Sequence, residues 1–232
     1  STLNISDSTI ESGGGSVTLV DMSTGTLVVD NVEFVGDDTA NAEVGISVPT
    51  STSDSVTITE STFRDIDDVA QFTQSGDVTV DNTTFENIDD NALAFSSNSG
   101  VDGNYAEDIT IQDNNFSDVG SNAVLLLDEG DNGDQFTGDL TIERNNFVGI
   151  TDFAILAANG GFDATTDNAE DILAAGGTQK FRGNFYGARS GPSGVERGVY
   201  GTGAEIDTDN AQASFLLFSG FELPNDDAPS VL

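Results

Sequence analysis

From Ser55 to Ala157 one arrangement of hydrophobic and polar positions recurs four times: SVTITESTFRDIDDVAQF, DVTVDNTTFENIDDNALAF, DITIQDNNFSDVGSNAVLL and DLTIERNNFVGITDFAIL. Each copy opens on an apolar-Thr-apolar triplet, passes a polar turn, and places a Phe there. An Ile or Val follows three residues later, then an Ala before a second apolar stretch. The columns are Phe63, Phe85, Phe116 and Phe147; Ile66, Ile88, Val119 and Ile150; and Ala70, Ala92, Ala123 and Ala154. The triplets alternate with period two and are rich in β-branched residues, which predicts short strands. No window carries the i, i+3, i+4, i+7 pattern of an amphipathic helix. Successive triplets start 22, 31 and 31 residues apart, and the excess in the longer rows is polar and Gly-rich (SSNSGVDGNYAE and DEGDNGDQFTG). Those stretches read as loops leaving one corner while the core columns stay in step. Self-similarity at this period predicts a solenoid. Its strands stack ~4.8 Å apart, so each column becomes a ladder of like side chains.

Two weaker rows precede these. Leu3-Asn4-Ile5 leads to Ile10 in the Phe column and returns through Ser16–Val20; Leu27-Val28-Val29 leads to Phe34 and returns through Val44–Val48. Six rungs result. Before the Phe column stand Ser61, Thr83, Asn114 and Asn145, residues that hydrogen-bond along a stack and tolerate left-handed backbone. The pattern from Leu3 to Ala157 resembles the right-handed parallel β-helix of the pectate-lyase type. That resemblance implies an architecture and no single activity, since the fold carries lyases, hydrolases, phage spikes and adhesins.

After Ala157 the pattern decays through Asn159-Gly-Gly161. Asp167–Ala175 then predicts a short capping helix, with a capping box at Asp167 and Glu170 and Gly176 as its stop. Residues 1–177 form the predicted β-helix with its cap, and 178–232 a small tail predicted as an antiparallel meander. In the tail Gly183-Asn-Phe-Tyr-Gly187 and Glu196-Arg-Gly-Val-Tyr200 resemble the Gly-x-Phe-Tyr-Gly and Glu-x-Gly-Gly-x-Phe words of transferrin-binding-protein-B-like β-barrels, with Val199 in place of the second Gly of the pair. That likeness points toward a bacterial surface protein and implies no ligand.

Composition narrows the chemistry. Six basic residues face 41 acidic ones, a net charge of −35, and Cys and His are absent. Two basic residues fall in 1–177 and four in 178–232, so nearly all of the excess negative charge is on the rungs. Such a surface makes nucleic acid and anionic membranes poor partners. No apolar run approaches the ~20 residues of a membrane helix, so no membrane insertion is expected. Without His the usual general base at neutral pH is missing. Ser1 in place of Met implies processing or a larger parent chain. High charge of one sign fits a solvated surface, a high-salt (halophilic) habitat that screens repulsion, or Ca²⁺ binding.

Three groups of residues could carry chemistry. Asp67-Asp68 and Asp89-Asp90 suggest the paired carboxylates of glycoside hydrolases, with Asp68, Asp90, Ser121 and Asp152 expected in one column. Arg64, beside Asp65, reads as an ion pair and not as a catalytic cation. The loop from Asp128 through Asp131 to Asp134, joined by Asp139, offers the closely spaced oxygens and Gly turns that Ca²⁺ requires; stacked Asp68 and Asp90 are a second cation candidate. Asn4, Asn82 and Asn115 head glycosylation sequons. These features lead to the expectation of a non-catalytic, Ca²⁺-binding structural or adhesive protein, extracellular or on the cell surface. It would associate with itself end to end through an open first rung at Ile5 and Ile10, with glycans or surface components as further partners. The alternative is a β-helix that binds or processes polysaccharide.

Overall fold

The computed structural model describes residues 1–37, 43–49, 52–73, 76–96, 107–128, 138–159, 179–182, 184–185 and 199–200. Every strand in them pairs parallel with the equivalent strand one rung away, and the rungs form three faces. The first face comprises the front halves of β1 (Thr2–Glu11) and β3 (Thr24–Val35), then β5 (Thr52–Thr59), β8 (Asp77–Asp81), β11 (Ile109–Gln112), β14 (Leu140–Glu143) and β17 (Gln179–Arg182). The second takes the back halves of β1 and β3, then β6 (Thr62–Ile66), β9 (Thr84–Ile88), β12 (Asn115–Val119) and β15 (Asn146–Ile150). The third holds β2 (Thr18–Asp21), β4 (Val44–Val48), β7 (Asp68–Thr73), β10 (Leu93–Ser96), β13 (Val124–Asp128), β16 (Ile155–Asn159) and β18 (Val199–Tyr200). Because β1 and β3 run through the first corner unbroken, faces one and two join as one eleven-stranded sheet and face three is a separate seven-stranded sheet. Crossovers that return to a parallel neighbour are right-handed almost without exception.

Period-two alternation sends one side of every strand inward. Phe34, Phe63, Phe85, Phe116 and Phe147 stack with ring centroids 4.5, 5.5, 4.6 and 5.0 Å apart and are all at most 2% exposed. Their rings are nearly parallel, with interplanar angles no greater than 15°. Parallel in-register strands impose this offset-stacked geometry, which adds to the burial of each ring. Leu27, Val56, Val78, Ile109 and Leu140 line the first face beside them, and Phe72 stacks on Phe95 across the third.

Corners are made by left-handed residues. Asp7, Asn31, Glu60, Asn82, Asp113 and Arg144, one per rung at the first corner, have φ between 49° and 57°. Asp65, Asn87, Asp118 and Gly149 form a second such column inside β6, β9, β12 and β15, with φ between 53° and 65°. Asn and Asp enter this region more readily than other side chains, which explains their enrichment at both columns.

Immediately after the first left-handed column the chain turns a polar side chain inward. Asn114, Asn145 and Asn184 are fully buried, and each does the same work. The backbone N–H of Thr83 donates to Asn114 Oδ1 at 2.9 Å, that of Asn114 to Asn145 Oδ1 at 2.9 Å, and that of Asn145 to Asn184 Oδ1 at 2.8 Å. Their Nδ2 atoms donate to the carbonyls of Val80, Ile111 and Ile142 on the preceding rung, at 2.9–3.0 Å. Ser61 and Thr83 hold the same column with hydroxyls. The turn residues expected to bond along the stack therefore do so.

Two expectations are refined. Ala92, Ala123 and Ala154 do share a column, but Val69 joins them and Ala70 pairs with Leu93. The third rung has one residue fewer between its Phe columns, Phe63 to Phe72 against Phe85 to Phe95, so a constant offset from the Phe mis-registers it. The tail expected to be antiparallel instead extends the stack in its described parts. β17 lies parallel on β14, Asn184 continues the corner ladder, and β18 lies parallel on β16. Gly and Pro punctuation marks strand ends and carries no information about the pairing partner. The capping helix expected at Asp167–Ala175 lies outside the described residues.

Replacing Asn145 with Ala removes the partner of the Asn114 N–H and of the Ile111 carbonyl inside the stack. Each buried group left unpaired costs about 1–3 kcal/mol, so we predict a loss of about 2–4 kcal/mol for Asn145→Ala in urea unfolding. The control Glu86→Ala, at an exposed position of ordinary backbone, is expected to change stability by less than about 1 kcal/mol.

Candidate functional site

The paired aspartates lie at the second corner, where β6 and β9 pass into β7 and β10. The missing residue in the third rung offsets them. Asp68 stands beneath Asn91: the Asn91 N–H donates to Asp68 Oδ1 at 3.3 Å, as the Asn122 N–H donates to Asn91 Oδ1 at 3.3 Å. The column is therefore Asp68, Asn91, Asn122, an acidic foot on an Asn ladder, and not the Asp68, Asp90, Ser121, Asp152 column expected from constant spacing. Gln71 Nε2 donates to Asp68 Oδ2 at 3.1 Å, and Asn91 Nδ2 to Asp90 Oδ1 at 3.0 Å. Asp67 turns its carboxylate the other way, accepting the backbone N–H of Glu43 at 3.0 Å. Of the four aspartates, Asp68 and Asp90 remain close enough to interact. Burial pushes the Asp68 carboxyl above its ordinary range, and the charge of Asp90 pushes it further.

Asp68 also forms one end of a cleft of about 260 Å³ on the outer surface of the third face. Gln71 and Asn91 flank it there. Ala94, Leu125 and Leu127 supply an apolar floor, and Thr73 and Ser96, hydrogen-bonded to each other at 3.1 Å, close one side. The floor exists because the outward column of this face turns apolar along the stack: Gln71 pairs with Ala94, Ala94 with Leu125, and Leu125 with Leu156. Outward Leu125 and Leu127 are the sequence signal for this cleft.

The other cation candidates fall elsewhere. Asp139 stands at the corner that opens the first face, where its N–H donates to Asp108 Oδ1 at 2.8 Å and the Asp108 N–H donates to Asp77 Oδ1 at 3.0 Å. This aspartate ladder was not anticipated, although an Asp precedes the triplet in all three rows. Asp128 ends β13, while Asp131 and Asp134 lie outside the described residues. Asp68 and Asp90 are thus at a different corner from Asp139. Among the described residues no three such side chains converge as a metal group.

Both rung arginines are engaged by carboxylates. Arg64 Nε contacts Glu33 Oε1 at 3.0 Å and its Nη1 contacts Asp65 Oδ2 at 3.0 Å. Arg144 contacts Asp113 at 2.5 Å and Glu143 at 3.4 Å. Hydrogen bonding, to Glu33 and to Asp113 respectively, raises both guanidinium pKa values above their already high ordinary range. The ion pair expected between Arg64 and Asp65 is present, with Glu33 on the rung below as its second partner. Of the three sequon asparagines, Asn115 is 3% exposed and accepts a hydrogen bond from Asn146, while Asn4 is exposed.

A family model described as a right-handed β-helix region matches residues 1–170. No curated protein and no solved structure matches the chain.

Because the folded-state pKa of Asp68 is raised, its contribution to stability is complete below the unfolded pKa and is lost as pH rises through the folded one. Asp68→Asn keeps an oxygen for the Asn91 N–H and removes the charge facing Asp90. We predict that it stabilises the protein at neutral pH by up to about 1 kcal/mol, since water screens a partly exposed pair. The gain should shrink toward zero near pH 3–4, about the ordinary Asp pKa, in paired melting curves.

Proposed function

Because the chain belongs to the right-handed β-helix family, we propose that it is a non-catalytic structural or adhesive protein of the cell surface or extracellular space. The fold serves many activities, so the reading rests on the side chains. The observation that carries it is the state of the two cations whose side chains are described: Arg64 and Arg144 are both tied to carboxylates one rung below and beside them. The chain has no His to act in their place. The inward polar residues of the corners are likewise used in ladder bonds. Acidic glycans would also meet a chain of net charge −35. A polysaccharide-processing β-helix is the second reading, favoured by Asp68 at the rim of a cleft with Asp90 close enough to act on its charge. Purified protein incubated with polygalacturonate, alginate and neutral glucans is expected to release neither reducing nor unsaturated ends. Release that disappears in Asp90→Asn establishes the second reading instead.

Self-association end to end completes the proposal. Among the described residues β1 pairs only with β3. Its inward Leu3 is 41% exposed, and Ile5 and Ile10 are only partly buried against the core. A second copy stacked on β1 would cover this apolar edge with main-chain hydrogen bonds, and the apolar segment Ser214–Phe218 is a candidate donor. Such a contact does not close and propagates into a filament. Ca²⁺ between carboxylates would favour the stack by offsetting repulsion. Light scattering and negative-stain microscopy should show protein-concentration-dependent filaments, promoted by millimolar Ca²⁺ or molar salt and abolished by Ile5→Asp with Ile10→Asp. A monomer at every concentration, with or without cations, removes self-association from the proposal.

A further inference from the structure

The cleft on the third face combines features that the scaffold does not need. At one end is a carboxylate, Asp68, whose negative charge Asp90 reinforces from outside the lining; among the described residues no cation lines the cleft or acts on Asp68. Its hydrogen bonds come from neutral groups, the Gln71 amide and the Asn91 N–H. Along the floor lie Ala94, Leu125 and Leu127. A volume of about 260 Å³ is below the ~300–1,000 Å³ of drug-sized sites, so the cleft takes one small group. These features specify complementary halves of a ligand: a cation for the carboxylate end and a short methylene stem for the floor. The surrounding field acts in the same direction, since a strongly negative surface concentrates cations at its clefts. A hydrated metal ion would satisfy the carboxylate and leave the aliphatic floor unused.

We propose that this cleft binds a primary alkylammonium group, with the ammonium at Asp68 beside the Gln71 amide and the methylene stem along Ala94, Leu125 and Leu127. The same chemistry is presented by a free aliphatic diamine and by a lysine side chain of a partner protein. The site is independent of the end-to-end contact and of catalysis: it lies on an outer face, and binding requires no bond to break.

The test is amide chemical-shift mapping of the whole chain with 1,5-diaminopentane, against pentane-1,5-diol and against NaCl and MgCl₂ at matched ionic strength. The diamine is expected to shift resonances at Gln71, Asn91, Ala94 and Leu125, and the diol is expected not to. Asp68→Asn should weaken binding about tenfold or more, the scale of a lost charge-assisted hydrogen bond. Ala94→Phe, which fills the floor, should abolish binding while its melting curve confirms folding. Binding of Nα-acetyl-lysine amide as well identifies a partner lysine as the ligand; binding of the diamine alone identifies a free polyamine. Equal shifts with Mg²⁺, shifts spread over all acidic faces, or full binding by Ala94→Phe would each show diffuse counterion association and overturn the site.

Discussion

The structure depends on register. In a parallel stack each backbone group bonds to the equivalent group one rung away, so every side chain is set directly above its counterpart. An apolar column tolerates small errors in this alignment, because dispersion is non-directional. A buried polar column does not. The Asn114, Asn145 and Asn184 ladder works only when each Oδ1 meets the N–H of the neighbouring rung and each Nδ2 meets a carbonyl. A one-residue slip leaves several buried groups unpaired at once. The corner ladder therefore specifies the register in which the Phe rings stack.

The same rule explains where charge is allowed. Outward columns are free to accumulate Asp, and Asp77, Asp108 and Asp139 do so while capping one another's backbone N–H groups. Each capping bond offsets part of the repulsion that stacking like charges creates. The two arginines whose side chains are described are paired along the stack: Arg64 reaches down to Glu33, and Arg144 to Asp113. Asp68 is the case in which this compensation is incomplete, because its rung is one residue short and places a carboxylate where the next two rungs have an amide.

Much of the fold was legible because ladders repeat a residue type at a fixed interval. Phe63, Phe85, Phe116 and Phe147 could be aligned by eye, and the structure stacks them. Reading failed where one residue was missing without any change of residue type, as between Ile66 and Val69. It also failed where the repeat resumed after a long interruption: Asn184 follows Asn145 by 39 positions. The candidate site was half legible. Paired aspartates are visible in sequence, but the apolar floor beside them comes from outward residues of two different rungs, and only the pairing of β10 with β13 brings those together.

The two equal intervals of 31 residues, Phe85 to Phe116 and Phe116 to Phe147, have a consequence for descent. A recombination event that deletes or duplicates 31 codons between these rows returns a chain whose ladders all still match, with one coil fewer or one more. The same event across the shorter third row would set Val69 and Ala70 against the wrong neighbours and carry the acidic foot of the Asn ladder into its interior. Whole coils added or removed in the distal half would therefore leave every ladder matched, whereas the same change across the junction at Asp67–Asp68 would not.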